Sequence, residues 1–287
     1  MYREIEIGSS LEGLKAYEFP CEDPKKIVCL IHGIGEYFLR YERVAGRFNE
    51  KGIDVIGMDL RGHGDTPGKK GHCAPREAVL KDVDCLIKYA QEHYPGIPIV
   101  LYGHSMGGNI VLDYRARGNL NGVPEKYVVS APWVQLVRST PKPLISVLSA
   151  IAKVAPKATM SSSVDEKLLG NPESVGSYSD NPMVHNKISL QTAVEGFTIG
   201  NRISEGTWPS FGEGHLRPML LLHGDIDGIC DVRGSRNVAE HEKEHCKYIE
   251  LEDICHEIHN GGPNSNGDEV IELIANWITG DDDGTEQ

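Results

Sequence analysis

The chain has 287 residues, 39% of them apolar and 25% charged, with a formal net charge of −13. That composition allows a sizeable core and argues against a nucleic-acid-binding surface, and no run approaches the roughly 18 apolar residues of a membrane span. The 32 Gly and 16 Pro are dispersed, so no disordered tract is indicated.

The N-terminal MYREIEIGSS has charges where a signal peptide needs its apolar stretch. The seven cysteines are odd in number and contain no Cys-x-x-Cys. They read as reduced thiols of a cytoplasmic protein, and no ligand pairs have the spacing of a zinc site. In chain order, YREIEIG and LKAYEFP read as an antiparallel hairpin on one sheet edge. KIVCLIHG (26–33) is a buried-strand pattern ending in glycine, and YERVAGRFNEKG (41–52) has helical spacing. IDVIGMD (53–59) is a strand. Residues 75–94 form a helix placing Val79, Val83, Leu86, Ile87 and Ala90 on one face. IPIVLYG (97–103), a helix from about 106 and KYVVSAP (126–132) follow. After an interruption come RPMLLLHG (217–224), a helix near 232–245, KYIELED (247–253) and a helix near 268–279. This alternation predicts an α/β fold with a mainly parallel central sheet flanked by helices. Residues 281–287, DDDGTEQ, read as an acidic tail.

Residues 133–213 break the alternation and sit between two core strands. They are expected to form an inserted, mostly helical lid over the C-terminal edge of the sheet, where ligands bind in open α/β sheets. The core is then 1–132 and 214–280. Within the insertion Leu144, Val147, Leu148, Ile151, Val154 and Ala155 make an apolar helical stripe. From Lys126 to Val164 there is no Asp or Glu, yet Lys126, Arg138, Lys142, Lys153 and Lys157 are present. The preferred reading packs the stripe on the core or along a tunnel, with the lysines solvated. The other rests stripe and lysines on an anionic lipid surface, a transient membrane contact.

The chemistry starts at IVLYGHSMGG (99–108). A strand runs into Gly-x-Ser-x-Gly and a helix-like stretch follows, the context of a nucleophile elbow in which only small neighbours allow the sharp turn. Ser105 is therefore the candidate nucleophile. A serine needs a base, and the base an orienting carboxylate. The acid belongs after a later strand, where MLLLHGDID offers Asp225 and Asp227, with Asp231 beyond. Asp225 directly follows the strand-ending Gly224 and reads as a turn cap, so Asp227 is the choice. The base belongs after the last strand, where His256 is preferred to His259 as closer to the strand end. An oxyanion needs two backbone N–H donors: Met106, after the nucleophile, and Ile34, in HGIGE (32–36).

Together HGIGEYFLRY, DLRGHGDT, YGHSMGG, HGDIDGIC and CHEIHN resemble, over nearly the whole chain, the α/β-hydrolase family of monoacylglycerol lipases and lysophospholipases. The resemblance implies Ser105, Asp227 and His256 as the triad, Ile34 and Met106 as oxyanion donors, and a lid over an acyl-binding tunnel. It implies that Glu36, Arg40 and His259 hold a glycerol, and it matches Cys230 to a cysteine near the active site in some members. Glu36 and Arg40 read equally well as an ordinary ion pair, and Cys230 as a packed thiol. The expected activity is hydrolysis of a small amphiphilic ester, monoacylglycerol or lysophospholipid, through an acyl-enzyme and without a metal or organic cofactor. The alternatives are a short-chain carboxylesterase or thioesterase, or a silent binding protein on the same fold. Localisation is expected to be cytoplasmic, with peripheral membrane association through the lid.

Overall fold

The computed structural model describes residues 1–281, so 282–287 of the expected acidic tail lie outside the described residues. Among the described residues there are ten strands: β1 (Arg3–Ile5), β2 (Ala16–Phe19), β3 (Lys26–Ile31), β4 (Ile53–Met58), β5 (Ile99–His104), β6 (Lys126–Ser130), β7 (Thr159–Ser161), β8 (Lys187–Ser189), β9 (Met219–Gly224) and β10 (Cys246–Leu251). Eight form one sheet in the order β1-β2-β4-β3-β5-β6-β9-β10, and β7 pairs with β8 separately. As the sequence predicts, the first two strands pair antiparallel at one edge. All other pairings in the large sheet are parallel.

Parallel strands covered on both faces need apolar residues at every position, and β5 and β9 are buried throughout. Successive side chains point to opposite faces. Ile99 and Leu101 of β5 join Met219 and Leu221 of β9 in one core. Val100, Tyr102, Leu220 and Leu222 join the other. The first core is closed by Val79, Val83 and Leu86 of a long helix and by Ile110 and Val111. The second is closed by Val44, Phe48, Ile271 and Ile274. These residues belong to α1 (Glu42–Asn49), α2 (Arg76–His93), α3 (Met106–Arg117) and a C-terminal helix, Asp268–Thr279. Register brings the strand ends level: Ile31 lies beside Gly103, and His104 beside Ser130. The loops after β3, β5, β6, β9 and β10 therefore share one edge.

Between β6 and β9 lie α4 (Lys142–Val154), β7, the single turn α5 (Pro172–Val175), β8 and α6 (Leu190–Ser204). The section thus contains a small antiparallel sheet, Met160 opposite Ile188, as well as helices. Its α4 corrects the preferred reading of the apolar stripe. Leu144, Val147, Ile151 and Val154 are 46, 54, 46 and 87% exposed. The residues turned away from solvent are Ile145, Leu148, Ser149 and Ala152. This helix carries apolar residues on more than one face, so periodicity alone does not choose its buried side. The helix packs on α6, and Leu144, Val147, Ile151 and Val154 are left outside. After β9, α7 (Val232–His241) stops four residues before the expected boundary, and α8 is Asp268–Thr279. No described helix is long and apolar enough to cross a membrane.

Candidate active site

Ser105 sits between β5 and α3 at φ 55, ψ −115, a left-handed conformation that a non-glycine residue adopts only when its surroundings impose it. The glycines around it answer a crowding problem. A Cβ on Gly103 would lie 2.3 Å from Gly107 O, and one on Gly107 would lie 2.0 Å from Ile31 O. The turn is tight because the first turn of α3 is pressed against the end of β3.

The fold brings Ser105, Asp227 and His256 into one hydrogen-bonded line. His256 Nε2 is 2.9 Å from Ser105 Oγ, and His256 Nδ1 is 2.7 Å from Asp227 Oδ2. An ionised carboxylate only accepts, so Nδ1 carries the proton and Nε2 accepts from the serine hydroxyl. Asp227 Oδ1 accepts from the N–H groups of Ile229 at 2.8 Å and Cys230 at 2.9 Å. All three side chains are buried. Burial pushes the Asp227 carboxyl up, but the His256 and His223 imidazoles beside it outweigh burial and hold it well below the usual range. For His256 burial works downward, and the Asp227 charge and hydrogen bond reverse it, leaving the imidazole raised. The other readings of these motifs separate cleanly. Asp225 is exposed, Asp231 caps α7 and pairs with Arg233, and His259 lies against Tyr41 and His104 instead of Ser105.

The loop after β3 is held by a buried ionic cluster. Glu36 Oε1 accepts from Gly33 N–H at 2.6 Å and from the Tyr41 hydroxyl at 2.9 Å, while Oε2 accepts from Arg40 at 2.5 Å. Arg40 also makes a two-pronged pair with Glu257, at 2.6 and 3.0 Å, and lies 4.6 Å from the centre of the Tyr178 ring. A Cβ on Gly33 would lie 3.2 Å from Ser105 Cβ, so the peptide that carries Ile34 N–H passes beside the serine. Met106 is the first residue of α3, where helix N–H groups have no intrahelical partner. Glu36 and Arg40 are thus an ion pair bracing this loop. Sequence reading passed over three participants: Glu257, in a segment read only for its histidines; His223, read only as a strand residue; and Tyr178, which arrives from the inserted section.

Ser105 opens onto a cavity of about 250 Å³. Its walls include Ile34, Trp133 and Ile229 from the core and Met160, Ile188 and Phe197 from the inserted section. Arg40 and His259 line a different cavity of about 330 Å³, with Arg43, Ser174, Asn181 and Asn260. Cys230 is buried and lines the first cavity. Asp227, Cys230 and His256 offer donor atoms within 4.8 Å of one another, the one such gathering among the described residues. Asp227 already accepts three N–H groups, with His223 Nε2 3.0 Å away, and both His256 nitrogens are engaged, so this set does not fit a resident metal.

Comparison with known proteins follows this geometry. A family described as Serine aminopeptidase, S33 matches residues 22–262. A monoacylglycerol lipase from Mycolicibacterium smegmatis is 30% identical over 260 residues, covering 90% of each chain. The monoglyceride lipase of Homo sapiens is 28% identical over 272 residues, 92% of this chain and 85% of that one. The crystal structure of a monoacylglycerol lipase from Paleococcus ferrophilus superposes with a TM-score of 0.79 at 29% identity, covering 93% of this chain and 98% of that one.

Proposed function

We infer the reaction from the family to which this chain belongs, that of the serine aminopeptidase S33 hydrolases. The protein is an α/β-hydrolase and a serine ester hydrolase. We propose that it cleaves monoacylglycerol, the substrate in the names of its relatives, and that the products are a free fatty acid and glycerol. The observation that carries this reading is the Ser105–His256–Asp227 line opening onto a cavity with mainly apolar walls.

In the proposed mechanism His256 Nε2 takes the Ser105 proton as Oγ attacks the ester carbonyl. Ile34 and Met106 N–H groups hold the developing oxyanion. His256 then gives the proton to the departing glycerol oxygen. Water attacks the acyl-enzyme, losing its proton to His256, which returns it to Ser105 Oγ as the acyl–Oγ bond breaks and the fatty acid leaves. Asp227 stays ionised throughout and stabilises the imidazolium. We assign residues 133–213 the role of lid and 1–132 with 214–280 that of core. Glu36, Arg40 and His259 are assigned to the glycerol end of the site, as the resemblance implies, with Glu36 also holding the loop that carries Ile34. The seven cysteines are free thiols, which suits a reducing cytoplasmic setting, and α4 supplies a transient membrane contact.

The test is a rate panel of monoacylglycerols of several chain lengths, a lysophospholipid, a triacylglycerol and a short aryl ester. The expected order puts a monoacylglycerol first, with all rates lost in Ser105→Ala and fluorophosphonate labelling confined to Ser105. A short aryl ester turned over faster than every monoacylglycerol would make the protein a general carboxylesterase. Activity near wild type in Ser105→Ala would remove the mechanism.

A further inference from the structure

The mechanism above uses one histidine on Asp227, yet a second lies against it. His223, the penultimate residue of β9, is completely buried. Its Nε2 is 3.0 Å from Asp227 Oδ2, the oxygen that holds His256, and 3.1 Å from the carbonyl of Cys230. Its Nδ1 is 2.7 Å from Ser235 Oγ, also fully buried on α7.

These contacts fix the proton. Nε2 faces two groups that only accept, so it carries the hydrogen. The N–H is aimed at Cys230 O and passes beside Asp227 Oδ2. Nδ1 then accepts from the Ser235 hydroxyl, which locks the ring against rotation. The arrangement acts on Asp227 twice. The N–H places positive charge beside Oδ2. The hold on the Cys230 carbonyl keeps the loop where Ile229 and Cys230 N–H groups reach Oδ1. No other described side chain both borders Asp227 Oδ2 and anchors its loop. Its neighbours β9 and α7 are packed elements, so the device is rigid.

We propose that His223, oriented by Ser235, is a positioning residue that sets the Asp227 carboxylate for His256. The proposal rests on the Ser105–His256–Asp227 reading and adds to it a residue that never touches substrate. It also accounts for the His in HGDID, a position that a strand end does not require to be polar.

The experiment compares His223→Leu, His223→Gln, Ser235→Ala and Ser105→Ala in the full-length protein. It measures kcat and KM on the best ester and the far-downfield proton resonance of His256 Nδ1–H. His223→Leu is expected to lower kcat about 10- to 100-fold, because the polar N–H beside the Asp227 charge and the anchor of its loop are lost together, with KM within about twofold. The downfield resonance should vanish with it. Gln carries an amide N–H at about the reach of Nε2, so His223→Gln should recover most of kcat and the resonance. Ser235→Ala, a milder change at a neutral bond, should lower kcat about 2- to 10-fold; it decides the matter if His223→Leu fails to fold. An unchanged kcat and resonance in His223→Leu, or in Ser235→Ala where Leu is unfolded, would overturn the proposal while a dead Ser105→Ala leaves the mechanism standing. A folded His223→Gln as impaired as His223→Leu would also overturn it. Activity in Ser105→Ala would remove both.

Discussion

At Ser105 and His256 a few atoms decide when the enzyme works. His256 must be neutral to accept the serine proton, and Asp227 favours its charged form strongly enough to outweigh burial. The acid limb of kcat/KM should therefore fall above the ordinary imidazole value of about 6.5, with activity lost as pH drops through it. Asp227→Asn removes the charge that raises the limb and leaves the ring in the wrong tautomer. The limb should move to lower pH and the rate fall by about 10⁴-fold, the loss known for the same change in a serine protease triad. A limb that stays in place in Asp227→Asn would show that Asp227 does not set the base. Ser105, Asp227 and His256 were legible in the sequence because each follows a strand, and strand ends share one edge. Glu257 and His223 were not, because what they touch lies up to 217 residues away or across a loop, and no local pattern encodes that meeting. Glu36 and Arg40 were legible as a pair. Their place, bracing the loop after β3, depends on Glu257 and Tyr178.

At the scale of one element, α4 was legible as a helix and not as an orientation. Apolar residues on more than one face let either be buried, and the fold turns Ile145, Leu148, Ser149 and Ala152 inward while α4 packs on α6. The outcome is an exposed row of Leu144, Val147, Ile151 and Val154 beside Lys142, Lys153 and Lys157. Such a row is unfavourable in water unless something covers it, and apolar residues above lysines suit the interface of an anionic bilayer. Burying Val147 and Ile151 in lipid is worth about 1.5–3 kcal/mol each when complete, and each nearby lysine adds about 1 kcal/mol on an anionic surface. Val147→Glu with Ile151→Glu should therefore cut vesicle partitioning at least about tenfold. Turnover of a micellar substrate should fall with it, while a water-soluble short ester is hydrolysed at the wild-type rate. Replacing the three lysines by Gln should abolish the preference for anionic over neutral vesicles and the salt dependence. Partitioning unchanged in the glutamate variant would remove the membrane contact and leave the row as bare surface.

At the scale of the whole molecule, the response to acid follows from which buried groups are kept neutral. Burial holds His32 down to about 3 and His259 to about 4, and it holds His63 and His104 well below 6.5. In the unfolded chain all four protonate near 6.5. Below that pH the unfolded state binds up to four more protons, and stability falls as pH falls. Four carboxyls oppose them, Glu36 and Glu195, which burial also pushes up, and two aspartates. Burial raises Asp54 to about 7 and Asp59 to about 6, so in the folded state they keep protons that the unfolded chain has released above about 4. With His72 and His185 also held below their ordinary value, six histidines stand against four carboxyls, so the melting temperature should fall as pH drops below about 6.5. Asp54 makes the argument separable. Above pH 7 its carboxyl is ionised in a site with one oxygen unpartnered, so its full penalty is present there and absent at pH 4. Asp54→Asn should raise the melting temperature by several degrees at pH 8, leave it unchanged at pH 4 and steepen the acid slope. A melting temperature flat from pH 6.5 to 4.5 in the wild type would mean that these histidines are not neutral in the fold. A destabilised Asp54→Asn at pH 8 would mean that Asp54 is not the group opposing them.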